Sequence, residues 1–77
     1  MHIYVRGYYS TDVNINTVLF TLNKDFMPKN PFVKPIFADN VTKVLGCITI
    51  NTNGQVVLAN TKLTANNYFL IDATYFI

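Results

Sequence analysis

Few residues in this sequence could do acid–base, nucleophilic or metal chemistry. The 77-residue chain carries four acidic residues, all aspartate, with one histidine and one cysteine. One histidine and one cysteine are too few for a structural zinc site, and a single cysteine excludes an internal disulfide. A nucleophilic pair of Cys47 with His2 lacks a third group to orient the histidine. The sequence therefore predicts a protein that is not an enzyme and uses no metal or cofactor.

The aspartates are interpreted mainly as structural residues. Asp12, Asp25 and Asp39 lie in polar loops or turns, where aspartate side chains commonly accept hydrogen bonds from nearby backbone amides. Asp72 differs because it stands among apolar residues in the segment YFLIDATYFI. It could form an ion pair with Arg6 between the two terminal strands, or it could face solvent. A structural ion pair is favoured over a ligand contact.

Aromatic residues could stack on sugars or on nucleic-acid bases. The chain has five tyrosines and six phenylalanines but no tryptophan. Their alternation with small and β-branched residues favours packing in a core or interface, and the tyrosines expected at the surface are Tyr8, Tyr9 and Tyr68. The six basic residues, which set the net charge at +2, are scattered along the chain. Nucleic-acid binders concentrate such residues, so a small barrel binding single-stranded nucleic acid is disfavoured.

The elements that must position these residues are predicted to be strands. Residues 2–9, 17–22, 41–52 and 68–77 alternate in polarity or are rich in β-branched and aromatic side chains. Residues 36–39 could add a short strand, and no helix of useful length is predicted. The predicted fold class is all-β: a small antiparallel β-sandwich or barrel of about six strands, forming one domain over residues 1–77.

The firmest local prediction is a β-hairpin within residues 46–60. Asn53-Gly54 is a dipeptide that readily adopts positive φ at both central positions of a type I′ turn, and apolar runs flank it. A two-residue loop would place Ile50 opposite Val57. Both faces of the hairpin would then be partly apolar, which is more than a sheet with one solvated face requires.

Proline and glycine mark two special segments. All three prolines of the chain lie in residues 26–35, FMPKNPFVKP. Each proline lacks an amide donor and favours extended backbone before it, so this segment is predicted to be an extended crossing, neither a helix nor a central strand. Gly7 lies inside the first predicted strand, where it indicates a bulge or a close approach of the backbone.

The size and the apolar content of the chain indicate a partner subunit. A domain this short buries only about 60% of the surface that its unfolded chain exposes, and 51% of its residues are hydrophobic. Without a disulfide or a metal, oligomerisation is the expected stabiliser. The longest apolar runs have four residues, too few to cross a membrane. Neither membrane insertion nor a signal peptide is predicted.

Four segments together resemble one protein family. They are YVRGYY from Tyr4, TLNKDFMPKNPFVKPIF from Thr21, LGCITINTNGQVVLAN from Leu45 and YFLIDATYFI from Tyr68. In this order they resemble the C-terminal head module of phage tail-fibre and baseplate receptor-binding proteins. That family combines an Arg-Gly strand, an aromatic and proline crossing, a hairpin with a turn glycine, and a final aromatic strand. Asn23 stands where the family usually has proline.

The resemblance implies a homotrimeric β-sandwich at the tip of a virion fibre, assembled in the host cytoplasm and joined to the remainder of a tail-fibre protein. Its expected function is host attachment by binding cell-surface polysaccharide. The alternative is a purely structural module that trimerises and folds the fibre end without a ligand. The family shares no motif of binding residues, so the candidates are loop groups able to donate and accept hydrogen bonds. The candidate saccharide contacts are Asp39, Asn40, Asn60, Asn66, Asn67 and Tyr68. The candidate subunit contacts are Tyr75, Phe76 and Ile77, because so apolar a segment would fray unless packed.

Overall fold

Six antiparallel strands form one sheet that curls into a half-barrel. The computed structural model describes residues 1–38 and 43–77. In chain order the strands are β1 (His2–Tyr9), β2 (Val18–Thr21), β3 (Phe32–Phe37), β4 (Val44–Ile50), β5 (Gln55–Leu58) and β6 (Asn67–Thr74). Their order across the sheet is β1-β6-β3-β4-β5-β2. The predicted all-β class, with about six strands, is confirmed.

The remaining described segments are loops and a single turn of 3₁₀ helix at Lys24–Phe26. Asn23 caps that turn, since its side-chain oxygen accepts from the Asp25 amide at 3.0 Å. No helix in residues 1–38 and 43–77 is long and apolar enough to cross a membrane. The predicted turn at Asp39-Asn40, and the start of the predicted strand at Val41, lie outside the described residues.

Alternation along the strands places the core inside the curl. In β1 the odd-numbered residues point inward, so Ile3 and Tyr9 are buried. The even-numbered Tyr4 points outward and is exposed. The centre of the core comes from β3, β4, β5 and β6, whose fully buried side chains are Ile36, Ile48, Ile50, Val56, Leu58 and Ile71. These are mostly β-branched residues, which pack well on a pleated surface.

The hairpin between β4 and β5 forms, but its predicted turn type was wrong. The Gly54 amide donates to the Asn51 carbonyl and the Asn51 amide donates to the Gln55 carbonyl, each at 2.9 Å, which closes a three-residue loop. Gly54 has φ of +85° whereas Asn53 does not have positive φ, as expected for a turn followed by a glycine bulge. The register therefore moves by one residue, and Ile50 lies opposite Val56. That shift places the largest apolar side chains of both strands on the core face.

The proline segment is only partly the predicted crossing. Residues 26–31 carry the chain across to β3, but Pro35 lies within β3, the third strand of the sheet. Cys47 lies opposite Pro35. The Cys47 amide donates to Asn60 Oδ1 and its carbonyl accepts from the Ala59 amide, so both backbone groups point towards β5 and away from β3. Pro35 therefore occupies a non-hydrogen-bonded position in the β3–β4 ladder and needs no amide there. The prediction that this segment excludes a central strand was wrong for this reason.

Two further local predictions have clear outcomes. Gly7 pairs with Phe69 without a change of register, so β1 has no bulge there. A Cβ at Gly7 would lie 2.5 Å from the Phe69 ring, so the close approach is that of an aromatic side chain. The predicted strand at residues 17–22 forms as β2, but its alternation is interrupted by a bulge between Val18 and Phe20, and both residues that follow Val18 are partly buried.

Candidate functional site

Two exposed tyrosines and two asparagines meet where β1 ends and β6 begins. Tyr8 lies opposite Tyr68, and Tyr9 lies opposite Asn67, in the β1–β6 ladder. Asn66 immediately precedes β6. Tyr8, Asn66, Asn67 and Tyr68 are called the tyrosine–asparagine cluster below. Three of its members are residues that the sequence predicted as saccharide contacts, and the fold brings them together with Tyr8.

The two tyrosine rings form a surface pair. The Asn66 amide donates to the Tyr9 carbonyl at 2.8 Å, so Tyr9 is in a hydrogen-bonded position and Tyr8 opposite Tyr68 is not. Side chains of such non-hydrogen-bonded pairs stand closest together. The ring centroids are 5.0 Å apart with the planes tilted by 55°, and the tyrosines remain 53% and 55% exposed. The pair presents an apolar surface with two hydroxyl groups.

The side-chain amide of each asparagine forms hydrogen bonds through only one of its two polar atoms. Tyr8 Oη donates to Asn66 Oδ1 at 3.1 Å, and Asn66 has φ of 66°, a left-handed conformation that asparagine tolerates. Asn67 Nδ2 donates to the carbonyls of Thr64 and Ala65 at 3.1 and 3.3 Å. Asn66 Nδ2 and Asn67 Oδ1 have no partner within residues 1–38 and 43–77. One amide donor and one carbonyl acceptor are therefore available beside the tyrosine rings.

The loop that carries this cluster is anchored by an aspartate. Asp12 Oδ1 accepts from the Ala65 amide at 2.8 Å, and its other oxygen lies 3.2 Å from Lys62 Nζ. The hydrogen bond from Ala65 and the Lys62 ammonium both lower the pKa of the Asp12 carboxyl. A backbone bridge between Val13 and Leu63 ties the same two loops together. Asp12 therefore has a structural role as predicted, but the backbone amide that it accepts from belongs to the distant residue Ala65 and not to its own turn.

A cleft of about 350 Å³ adjoins the cluster. Asn67 and Tyr68 form part of its wall, together with Thr64 and the side chains of Lys43 and Lys62. Tyr9 closes its inner end and is buried, which raises the pKa of its hydroxyl. Tyr9 was expected at the surface; this was wrong because it shares the inward face of β1 with Ile3.

The other predicted saccharide contacts are not part of the cluster. Asn60 Oδ1 accepts from the Cys47 amide at 2.8 Å and from Thr61 Oγ1 at 3.3 Å, so this side chain continues the β4–β5 ladder where the strand ends. Its oxygen is occupied by a structural role. Asp39 and Asn40 lie outside the described residues.

The segment predicted as a subunit contact divides into one buried and two exposed residues. Tyr75 is only 6% exposed. Its Oη donates to the Phe26 carbonyl at 2.6 Å, its ring packs on Phe32, and burial raises the pKa of its hydroxyl. It is thus a core residue of its own chain. Phe76 and Ile77 are 94% and 53% exposed and remain predicted contacts.

The remaining ionisable side chains within residues 1–38 and 43–77 are not grouped into a catalytic arrangement. Asp72 Oδ1 contacts His2 Nε2, and both side chains are more than half exposed; exposed pairs of this kind contribute little stability. The partner shown is therefore His2, where the sequence suggested Arg6. Strands β6 and β3 lie between β1, which carries His2, and β4, which carries Cys47, so the two side chains are not neighbours and do not form a nucleophilic pair. Among residues 1–38 and 43–77 no group of three or more His, Cys, Asp or Glu could hold a metal ion.

Sequence reasoning omitted Tyr8 from the candidate site although it expected this tyrosine at the surface. The available signal was its even position in β1, which is the outward face. Its neighbours in the cluster come from the far end of the chain, so only the β1–β6 register shows that Tyr8 joins them. Scans against protein-family models, curated proteins and solved structures each found no match.

Proposed function

We propose that this chain is a receptor-binding head module of a phage tail fibre or baseplate that binds cell-surface saccharide through the tyrosine–asparagine cluster. The observation that supports the proposal most directly is the exposed pair of Tyr8 and Tyr68 beside unpartnered amide groups of Asn66 and Asn67. The sequence resemblance described above supplies the biological setting.

The chemistry of the cluster suits a neutral sugar. A tyrosine ring offers an apolar face and a polar tip, so a pyranose can place its C–H face on one ring while its hydroxyls reach the amides. Asn66 Nδ2 can donate to a sugar hydroxyl, and Asn67 Oδ1 can accept from one. Both amides are already oriented by the hydrogen bonds at their other ends, which reduces the entropy lost on binding.

A single shallow site of this kind binds weakly, and assembly into a homotrimer would compensate for that. Three linked copies convert later binding events into intramolecular ones, which raises the avidity without any new contact. The exposed side chains of Phe76 and Ile77 are the proposed subunit contacts. The proposed location is the distal end of a virion fibre.

The direct test measures binding of the purified chain to glycan arrays and to host cell-wall fractions. Tyr68→Ala and Tyr8→Ala should each weaken binding by about tenfold or more, as expected for a central aromatic contact. Tyr4→Ala is the matched control, since Tyr4 is an exposed tyrosine on the same face of β1, opposite Asp72 and outside the cluster. Binding that persists in Tyr68→Ala, or that Tyr4→Ala reduces equally, would place the saccharide elsewhere.

The alternative is a module that only trimerises and folds the end of a fibre. The exposure of Phe76 favours assembly under either proposal. A protein that assembles normally but binds no glycan and no cell-wall fraction would support the structural module and exclude the adhesin.

A further inference from the structure

The sheet splits between β3 and β6. These neighbouring strands are paired only at Phe37 and Leu70 within the described residues, and they separate towards Phe32 and Thr74. A cleft of about 500 Å³ lies in the split. This volume falls within the range of about 300–1,000 Å³ that is typical of small-molecule sites.

The backbone explains why the split stays open. The backbone of Pro35 forms no hydrogen bond with β4, so its nitrogen and carbonyl face β6. By alternation, the backbone amide and carbonyl of Val33 face β6 as well. Directly after β6, Tyr75 exchanges two backbone hydrogen bonds with Met1. By alternation, the backbone groups of Thr74 and Asp72 therefore face β3. Extending the ladder from Phe37 and Leu70 would next pair Pro35 with Asp72. Pro35 has no amide proton to donate there, so the ladder stops.

The cleft combines an apolar wall with positive charge. Phe32 and Tyr75, whose ring centroids are 5.1 Å apart, form its inner wall, and the exposed ring of Phe76 stands at its mouth. Lys29 and Lys34 are its two charged side chains, and no aspartate lines it among the described residues. The chemistry of this lining is complementary to an apolar body that carries a negative charge.

Lys34 is the unusual member of this set. It occupies the core-facing position of β3 between Phe32 and Ile36, where alternation would place an apolar residue. Its Nζ lies 5.7 Å from the centroid of the Phe32 ring, and it forms no ion pair with any carboxylate of the described residues. A half-buried lysine without a carboxylate partner, at the edge of an apolar cleft, is available to bind an anion.

We propose that the β3–β6 cleft binds a small ligand consisting of an apolar, aromatic-sized body with an anionic head group, with Lys34 as the group that binds the anion. The apolar body packs on Phe32 and Tyr75. The backbone amides of Val33 and Thr74 face the split by alternation, beyond the single pair of Phe37 and Leu70, and can donate to the head group. This site is separate from the tyrosine–asparagine cluster and does not depend on the saccharide proposal.

The test follows the backbone amides of the isotopically labelled chain by NMR during titration with three probes. These are 3-phenylpropanoate, its neutral amide 3-phenylpropanamide, and inorganic phosphate. We expect 3-phenylpropanoate to shift the amide signals of Val33, Lys34 and Thr74 and to bind at least about tenfold more tightly than the neutral amide, because a charge-assisted hydrogen bond is lost. Phosphate, which has no apolar body, should bind more weakly than 3-phenylpropanoate.

Variants assign the charge to one residue. Lys34→Met should weaken 3-phenylpropanoate binding about tenfold or more while leaving the affinity for the neutral amide within about twofold. Lys34→Arg should retain most of the binding, and Lys24→Met is the control because Lys24 lies outside the cleft. Equal affinity for the charged and neutral probes would overturn the proposal. So would the same shifts appearing with rising protein concentration and no probe, since the cleft would then be a contact between copies.

Discussion

Tyr75 joins three segments that are distant in the sequence. Its hydroxyl donates to the Phe26 carbonyl, its amide donates to the Met1 carbonyl at 2.8 Å, and its ring packs on Phe32. Through its side chain and its backbone, Tyr75 therefore ties the proline crossing and Met1 to the core. A single hydroxyl here has a structural effect that can be measured.

Tyr75→Phe removes that hydroxyl without changing the ring. The variant should lose about 0.5–1.5 kcal/mol of unfolding free energy, since a partly buried carbonyl at Phe26 loses its donor. Urea denaturation measures the change. Tyr4→Phe, at an exposed tyrosine, should change stability by less than about 0.5 kcal/mol. Equal effects of the two substitutions would show that the Tyr75 hydroxyl bond does not stabilise the fold.

Asp12 makes stability depend on pH in the acid range. Its pKa is lowered in the folded protein by the Ala65 amide and by Lys62. In the acid range near its pKa the unfolded chain binds more protons at this site than the folded chain, so stability rises with pH there. This stabilisation is present above the unfolded pKa of about 3.9 and is lost as the pH falls through the folded value.

Asp12→Asn should remove this contribution. The variant should be less stable than the parent at pH 7, and the difference should shrink as the pH is lowered below about 4, towards and past the folded pKa. Urea midpoints of both proteins at several pH values between neutrality and pH 2 measure the effect. A difference that does not depend on pH would show that the Asp12 carboxylate does not contribute through its charge.

At the scale of elements, the β4–β5 hairpin depends on one glycine. Gly54 has φ of +85°, and a Cβ there would lie 2.9 Å from the Leu22 carbonyl oxygen. Gly54→Ala should therefore cost about 1–3 kcal/mol of unfolding free energy. Asn53→Gly should also destabilise, by about 0.5–1 kcal/mol, because Asn53 has ordinary φ and its side chain accepts from the Gln55 amide at 3.0 Å. A stabilising Asn53→Gly would instead indicate the type I′ turn.

The split between β3 and β6 depends on Pro35. Pro35→Val supplies an amide that can donate to the Asp72 carbonyl, so the ladder should extend by one pair. Once the strands are drawn together, the Asp72 amide should donate to the carbonyl of residue 35 and exchange with solvent about fivefold more slowly. Hydrogen exchange followed by NMR measures this change. Pro31→Val is the comparison, since Pro31 also lines the cleft but precedes β3 and does not lie opposite Asp72. Unchanged exchange at Asp72 would mean that curvature of the sheet, and not the missing donor, keeps the cleft open.

At the scale of the whole molecule, exposed apolar side chains are numerous for a chain of this size. Val33, Val44, Phe76 and Ile77 are all more than half exposed. Groups of exposed apolar side chains often mark interaction surfaces. The proposed homotrimer would cover part of this surface, beginning with Phe76.

Phe76→Ser should shift the chain towards monomer if the homotrimer forms through this residue. Sedimentation of the parent protein should show a species about three times the mass of the chain, and the variant should dissociate at concentrations where the parent does not. Val18→Ser, an exposed apolar position on edge strand β2, should leave the assembly unchanged. A monomeric parent would remove the trimer from the proposed function.

Strand positions and the hairpin were predictable because alternation and turn chemistry are local properties. The hairpin register was wrong by one residue because Asn53-Gly54 is compatible with two loop lengths, and core packing selects the loop that buries Ile50 with Val56. The candidate site was predictable only for Asn66, Asn67 and Tyr68, which are consecutive. Tyr8 joins them through pairing between strands at opposite ends of the chain.

The sequence by itself determined an all-β domain with inward and outward faces on each strand, since the two-residue period of a strand needs no partner to be read. Only the tertiary structure decided which strands are neighbours, and the order β1-β6-β3 has two consequences. It places Tyr8 against Tyr68 at one end of the β1–β6 pair. It also turns the backbone of Pro35 towards β6. Because proline has no amide proton, the β3–β6 ladder stops there, and a cleft lies beside Lys34. Both features depend on non-local backbone pairing, which no local pattern of residues specifies.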